Sequence, residues 1–327
     1  MPLHVLNDRR ENDSDGNNAV EFEVGPRRPV SISKESLDKF NEHRALLISI
    51  AYRMLGSAAD AEDMVQETFL RWQKATETEV RDPRAFLATV ITRPCINELQ
   101  SARVKREQYF GQWLPEPLLT DATSGTPQLA GIDGSLSIAF LMLLERLAPM
   151  ERAVFLLREV FDYDYSEVAE MLGQTEANCR QILRRAKQHV AEKRPRFDVS
   201  RKQQERLLQR FLHTTASGDM SGLLALLAED VVLYTDGGGK ATAVPNPIYG
   251  ADRVARFLFG SREKFLPRDI VRRFAEINGQ PGIVAYAEGR VFGVLTIDAT
   301  EAEIRRIYII RNPDKLAAIS NLPAPPV

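Results

Sequence analysis

The pattern of hydrophobic and polar positions changes twice along the chain. From Ser33 to about Tyr109, and again from Ser135 to about Arg194, apolar residues recur at the spacing of amphipathic helices. After Pro195, two predicted helices precede runs rich in Val, Ile and Tyr, which predict strands at 231–236, 282–289, 291–298 and 303–310. Helices followed by antiparallel strands indicate an α+β domain.

Two segments lack this periodicity. Residues 1–30 are polar and predict a disordered tail, and residues 111–133 carry three prolines and three glycines and predict a flexible linker. At about 3.3 Å per residue, the linker spans at most roughly 75 Å. We therefore predict helical units at 31–110 and 134–195 and a C-terminal domain at 196–327.

The segment from Tyr165 to Val190 predicts a helix-turn-helix. A short helix capped by Asp164 or Ser166 ends at Gly173, which permits a tight turn. The second helix begins at Thr175 and has an apolar stripe of Cys179, Leu183, Ala186 and Val190. Its other face carries Asn, Gln, Arg and Lys side chains that can pair with bases and phosphates in a major groove. The alternative is a helical hairpin with a solvated basic face.

The near-neutral total charge conceals this basic helix. The chain has 43 Lys and Arg against 45 Asp and Glu, a net charge of −2. Binding to nucleic acid depends on local charge, so the total does not exclude it.

A helix within 59–74 has an acidic face. Asp60, Asp63 and Glu67 share one side, and Phe69 and Trp72 lie on the other. Such a face is typical of solvated helices, and it is also able to bind a polar protein partner.

The order of these motifs resembles a known family. DAEDMVQETFLRW, RDPRAFLATVITRPCINELQSARVKR, the Pro-rich linker and LAPMERAVFLLREVFDYDYSEVAEMLGQTEANCRQILRRAKQHV are similar to extracytoplasmic-function sigma factors of the sigma-70 family. WLPEP (113–117), DGGGK (236–240) and NPDKL (312–316) resemble the SigJ-type subgroup, which has a SnoaL-like C-terminal domain. The implied fold class is two all-α domains, the second a helix-turn-helix, plus an α+β SnoaL/NTF2-like cone.

The resemblance implies an RNA polymerase sigma factor that directs core polymerase to the −10 and −35 promoter elements and is autoregulated by its third domain. The implied polymerase-binding residues are Asp60, Asp63, Gln66 and Glu67. The implied −10 residues are Asn97, Gln100, Arg103, Lys105 and Arg106, with the 76–82 loop receiving an unstacked base. The implied −35 residues are Asn178, Arg180, Gln181, Arg184, Arg185 and Lys187.

Pro94 departs from the family pattern. It lies inside a predicted helix, where it removes a backbone donor, so we expect a kink that changes the direction of Asn97 and Arg103.

The three pentapeptides carry the implied regulatory contacts. We expect WLPEP to dock on the C-terminal domain and to set the spacing of the two DNA modules; the alternative is a stiff linker. DGGGK lacks the Walker spacing, so we reject nucleotide binding and expect Asp236 and Lys240 to pair with NPDKL. The contact residues are Trp113, Leu114, Pro115, Asp236, Lys240, Asn312, Asp314 and Lys315.

The composition limits which classes of protein this chain can belong to. Two cysteines and four scattered histidines favour neither a disulfide framework nor a metal site, and no apolar run has the length of a membrane span. We expect a cytoplasmic protein that binds RNA polymerase core and promoter DNA, is no enzyme and has no cofactor.

Other readings stay open. The C-terminal domain is alternatively a small-molecule sensor, or an enzyme using Asp236, Asp298, Tyr234 or Tyr286, although these form no recognisable pair. A dimeric repressor would not need the first helical unit.

Overall fold

The computed structural model describes residues 33–75, 80–120, 136–191 and 199–319, and only the backbone of 102–107. The predicted tail, positions 76–79 of the predicted base-receiving loop and positions 121–133 of the predicted linker lie outside the described residues. Within these ranges, no helix combines the length and apolar character needed to cross a membrane.

The first helical unit contains α1 (Lys34–Leu55), α2 (Ala58–Trp72) and α3 (Pro83–Glu107). Ser33 caps α1 by accepting a hydrogen bond from the backbone N–H of Ser36, and Gly56 ends it in the left-handed conformation (φ 69°). Ser57 then caps α2 through the N–H of Asp60. The sharp turn between α1 and α2 therefore follows from two adjacent residues, Gly56 and Ser57.

Helix α3 continues through Pro94, and the kink that the sequence predicts there stays a prediction. Proline has no N–H to donate to the preceding turn, but Ile91, Cys95 and Leu99 on either side of it are buried. Their packing holds the two halves of the helix in one element.

The second helical unit contains α4 (Ile138–Leu144), α5 (Pro149–Glu159), α6 (Tyr165–Leu172) and α7 (Glu176–Ala191). Asp164 is the N-cap of α6, and its backbone N–H donates to the Glu167 carboxylate at 2.6 Å. Gly173 ends α6 with φ 64°, and Thr175 accepts from the N–H of Asn178 at the start of α7. These residues form the predicted helix-turn-helix.

The two helical units share one hydrophobic core. Leu47 and Ile91 of the first unit belong to the same buried cluster as Leu156 and Leu183 of the second. The Arg93 Nε atom donates to the Met171 carbonyl oxygen at 3.0 Å, which joins α3 to α6. The linker length allows wide separation, but in this structure the units are packed together.

The C-terminal domain begins with two helices and contains one six-stranded sheet. Its elements are α8 (Arg201–Ser217), α9 (Met220–Leu224), β1 (Leu227–Asp236), β2 (Ile248–Tyr249), α10 (Ala251–Phe265), β3 (Val271–Ile277), β4 (Gln280–Ala287), β5 (Arg290–Ala299), β6 (Ile304–Ile310) and α11 (Pro313–Leu316), followed by a 3₁₀ turn at Ala317–Ile319. The strand order is β2-β1-β6-β5-β4-β3. The predicted fold class, two all-α units and an α+β domain, is confirmed.

Three details of the domain differ from the sequence-based expectation. Helix α10 and strand β3 were not predicted, and the second predicted helix is shorter because β1 starts at Leu227. Strand β1 pairs with β6 in parallel, although the other pairings are antiparallel. The chain passes through α10 and four strands, β2 to β5, before β6 returns beside β1. The relative direction of β1 and β6 therefore could not be predicted from the local sequence pattern.

The two faces of the sheet bury different partners. Ile283, Ile297 and Ile307 pack with α8 and α10 on one face. Val284, Tyr286 and Tyr308 on the opposite face pack with the predicted linker and with Ile138 of α4. The part of the linker nearest the first unit therefore lies against the sheet, where Leu119 forms a bridge with Ile277 of β3.

Candidate DNA interface and interdomain clasp

The recognition helix α7 separates an apolar stripe from a basic surface. Cys179, Leu183, Ala186 and Val190 are all buried, as the periodicity predicts. The opposite side has five exposed residues from the predicted −35 set, Arg180, Gln181, Arg184, Arg185 and Lys187, while Asn178 is half-buried. The polar face is therefore presented away from the core.

Several of these side chains have weak partners within the protein. Arg180 pairs with Glu176 at 2.6 Å, Lys187 with Glu159 at 2.8 Å, and Asn178 donates to Gln174 at 2.7 Å. Exposed ion pairs contribute at most about 1 kcal/mol. They are readily exchanged for phosphate contacts.

The predicted polymerase surface lies on α2. Asp60, Asp63 and Gln66 are exposed, and Glu67 is half-exposed and paired with Arg71 of the same helix. Ala61, Val65, Thr68 and Trp72 bury the other side of α2. The acidic side is thus free of the protein's own core.

The predicted −10 residues lie on α3. Asn97 and Gln100 are exposed, while Cys95, Ile96 and Leu99 face the core. Arg103, Lys105 and Arg106 continue the same helix, but their side chains lie outside what the structure describes.

The three pentapeptides meet around the buried carboxylate of Asp236. Its Oδ1 atom accepts from the Tyr109 hydroxyl at 2.6 Å and from the Gly238 N–H at 3.0 Å. Its Oδ2 atom accepts from the Leu114 N–H at 2.9 Å and from Lys315 Nζ at 2.6 Å. We call this set, completed by Asn312, the clasp.

Lys315 and Asn312 tie NPDKL to the linker. Lys315 also donates to the Leu114 carbonyl oxygen, and its Nζ atom lies 4.3 Å from the centroid of the Trp113 ring. Asn312 Nδ2 donates to the Tyr109 hydroxyl at 2.8 Å. Burial and the Asp236 carboxylate raise the pKa of Tyr109, which keeps this phenol protonated.

The glycines of DGGGK make room for these contacts. Gly238 has φ 59°, and a Cβ atom there would lie 2.3 Å from Asn312 Nδ2. Lys240, which follows the glycines, pairs with Asp314 at 2.6 Å on the surface. Both expected pairings of DGGGK with NPDKL, Asp236 with Lys315 and Lys240 with Asp314, are present in the structure.

Glu116, two positions after Leu114 in the linker, contacts the turn between α1 and α2. Its backbone N–H donates to the Gly56 carbonyl oxygen at 2.8 Å, and its Oε2 atom accepts from the Ala58 N–H at 2.8 Å. Burial raises the pKa of Glu116, and the N–H groups at the start of α2 oppose this effect. Glu116 is thus an additional N-terminal partner of the predicted polymerase-binding helix.

A second buried contact joins the first unit to the sheet. The Tyr52 hydroxyl donates to the Glu116 carbonyl oxygen at 2.6 Å and accepts from Asn278 Nδ2 at 2.7 Å. Asn278 Oδ1 in turn accepts from the Leu118 N–H at 3.0 Å. One linker segment is therefore held from both sides.

Four of these residues were absent from the predicted site. Tyr52, Tyr109 and Asn278 stand outside the pentapeptides, and Glu116 stands inside WLPEP without having been selected. The Asn278–Gly279 turn and the acid between two prolines are the only local signals, and neither indicates a distant partner. The predicted Pro115 is buried within the docked segment.

Three of the four candidate catalytic groups have structural partners, while the Tyr286 hydroxyl is buried without a hydrogen-bond partner among the described residues. Asp298 pairs with Arg306 at 2.6 Å, Asp236 belongs to the clasp, and Tyr234 stacks on Tyr308 at 5.5 Å. Among the described residues that line the cavity of this domain, none is acidic. The general base that isomerase or cyclase chemistry requires is therefore not found there.

Comparison with known proteins decides the family. Residues 40–104 match Sigma-70 region 2, and residues 137–190 match Sigma-70 region 4. The ECF RNA polymerase sigma factor SigJ of Mycobacterium tuberculosis is 34% identical over 85% of this chain and 92% of its own length. This chain belongs to the extracytoplasmic-function sigma factors.

The similarity extends to the whole architecture of the sigma factor. The crystal structure of SigJ from Mycobacterium tuberculosis matches 86% of this chain and 98% of that chain with a TM-score of 0.71 and 32% identity. The ferric citrate uptake sigma factor FecI of Escherichia coli is 31% identical over 49% of this chain and 90% of its own length. As a member of the family, this sigma factor binds RNA polymerase core and promoter DNA to initiate transcription.

Proposed function

We propose that the two DNA modules of this sigma factor are held in a closed resting form by its own C-terminal domain. The acidic side of α2 binds core polymerase, the exposed side of α3 meets the −10 element, and α7 reads the −35 element as duplex. The protein acts in the cytoplasm together with its polymerase, and the third domain regulates without catalysing a reaction.

The buried surface on the sheet carries this proposal. Leu114 and Leu119 of the linker and Ile138 of α4 all pack against the same sheet face. Asn278, which follows β3, donates to the Tyr52 hydroxyl of α1, and Glu116 of the docked linker accepts from the N–H at the start of α2. A single domain thereby contacts both DNA modules and the segment between them.

Release of this surface is what lets the modules reach separate elements. Two weakly binding modules gain affinity from their tether only if the linker can span both sites. The docked linker and the contact of Arg93 with Met171 keep α3 next to the helix-turn-helix. The linker segment 111–120 must leave the sheet before its full length becomes available.

In vitro transcription with core polymerase tests the proposal. Trp113→Ala, which removes the ring beside Lys315, and a chain truncated after about residue 200 are both expected to increase promoter output. Phe110→Ala is the matched control, because this neighbouring aromatic is 71% exposed and its removal should leave output unchanged. Equal or lower output from both altered chains, with folding verified by circular dichroism, would refute control by the C-terminal domain.

A further inference from the structure

The C-terminal domain contains a cavity on the face of the sheet opposite the clasp. Its volume is about 140 Å³, and it lies between α8, α10 and the sheet. Phe211, Leu258, Ile283 and Leu295 form much of its apolar wall. Side chains alternate along β4, so Ile283 and Ala285 line the cavity while Val284 and Tyr286 pack on the linker side.

Three arginines from different elements line this apolar cavity. Arg262 comes from α10, Arg272 from β3, and Arg311 directly follows β6. The described residues of the lining include no Asp or Glu. Burial lowers the pKa of Arg272, the adjacent charge of Arg262 lowers it further, and burial lowers the pKa of Arg311.

Within the described residues, Arg262 and Arg311 contact neutral groups. Arg262 donates to the Thr215 carbonyl oxygen at 3.1 Å, and Arg311 donates to the Thr242 carbonyl oxygen at 3.1 Å. The Arg311 guanidinium also lies 4.1 Å from the centroid of the Phe292 ring. Its Nε atom is buried without a hydrogen-bond partner in the described part of the chain. Buried donors of this kind are normally satisfied, so the site has unused capacity for an acceptor.

We propose that this cavity binds a small organic carboxylate whose apolar part is about the size of a benzene ring. An apolar cavity of about 150 Å³ is sufficient to hold benzene. Guanidinium groups bind carboxylates in a planar, two-point geometry. Arg262 and Arg272 are exposed and Arg311 is half-buried, so the charged end of the ligand would lie at the mouth of the cavity. The apolar wall accounts for the body of the ligand and the three arginines for its charge.

The cavity lies next to the clasp, but it is not part of the clasp. The backbone N–H of Arg311 donates to the Asp236 carbonyl oxygen at 2.7 Å, while the Arg311 side chain lines the cavity. The proposed ligand cavity and the clasp therefore share a contact with one residue, Arg311.

Calorimetric titration of the full chain with 3-phenylpropionate tests the proposal. We expect saturable binding with one site, and binding about tenfold or more weaker for the neutral isostere 3-phenylpropan-1-ol, as loss of a charge-assisted contact implies. Arg262→Gln and Arg272→Gln should each weaken the binding of 3-phenylpropionate by about tenfold. Arg256→Gln is the matched control, because Arg256 lies on the same helix as Arg262 but outside the lining of the cavity and pairs with Asp252.

Three results would overturn the proposal. The first is no saturable binding of 3-phenylpropionate up to about 10 mM, which is about tenfold weaker than millimolar affinity. The second is equal binding of the alcohol, and the third is unchanged binding of 3-phenylpropionate in both cavity variants. A further variant, Ala285→Leu, fills the apolar wall without altering charge and should also abolish binding; persistence of binding in this folded variant counts against the cavity as the site.

Discussion

At the scale of single residues, Asp236 is the group on which the clasp depends. Its side chain is fully buried and accepts hydrogen bonds from four donors that come from three parts of the sequence. A buried carboxylate is tolerated only when it is paired and its oxygens are satisfied. Both conditions are met here by Lys315 and by the N–H and O–H groups around it.

Replacing Asp236 by Asn is therefore expected to destabilise the protein strongly. The amide retains the shape but leaves the buried Lys315 charge unpaired, which typically lowers the free energy of unfolding by about 3–5 kcal/mol. Asp314→Asn is the control, since it removes the exposed pair with Lys240 and should change stability by less than about 1 kcal/mol. Urea denaturation of both variants measures the difference, and equal losses would contradict a special role for the buried pair.

At the scale of elements, the helix-turn-helix is specified almost entirely by neighbouring residues. Asp164, Gly173 and Thr175 set where α6 and α7 begin and end. The stripe from Cys179 to Val190 sets which side of α7 is buried. Local capping and periodicity thus determine which side chains of α7 face solvent.

Two substitutions on α7 should separate base reading from phosphate binding. Gln181→Ala is expected to weaken holoenzyme binding by about 1–3 kcal/mol and to relax sequence preference at one position of the −35 element. Lys187→Ala should weaken binding to all promoter sequences about equally and should reduce the salt dependence of that binding. Fluorescence anisotropy with promoter duplexes at several salt concentrations measures both effects.

Gln188→Ala is the control for this pair, because Gln188 is exposed near the end of the same helix. Its binding should match that of the unaltered protein. A uniform loss in Gln181→Ala, with sequence preference intact, would exclude Gln181 from base reading.

At the scale of the whole molecule, the helical units and the sheet are joined by polar contacts inside apolar surroundings. Tyr52 lies in α1 and Asn278 after β3, 226 positions apart, and their side chains form a buried hydrogen bond. Burial raises the pKa of Tyr52, so the phenol remains a neutral donor to Glu116. The closed arrangement depends on this contact as well as on the clasp.

Tyr52→Phe tests the strength of the connection. It removes one hydroxyl that serves two partners, and leaving these groups unsatisfied should lower the free energy of unfolding by about 1–3 kcal/mol. Tyr163→Phe is the matched control, because the buried Tyr163 hydroxyl has no hydrogen-bond partner among the described residues and its loss should be nearly neutral. Thermal unfolding of the two variants should therefore differ, and equal melting temperatures would argue against the connection.

Prediction from the sequence succeeded where the decisive interactions are short in range. The helix-turn-helix, the acidic side of α2 and four strands follow from side chains within a few positions of one another. The kink expected at Pro94 stays a prediction: α3 continues through this residue, and Ile91 and Leu99 on either side of it are buried. Family resemblance suggested that the pentapeptides contact one another. It did not predict that Tyr109 and Tyr52 also contact them.

The sequence by itself determined the family, the order of the domains and the sides of the helices that face solvent, since these rest on local spacing and on motifs. Only the tertiary structure decided that β1 lies parallel to β6, that Glu116 reaches the start of α2, and that three arginines share one cavity. Each of these joins residues far apart in the chain. Such contacts form only when complete hydrophobic cores bring the elements together, and no local pattern records which distant surfaces will meet.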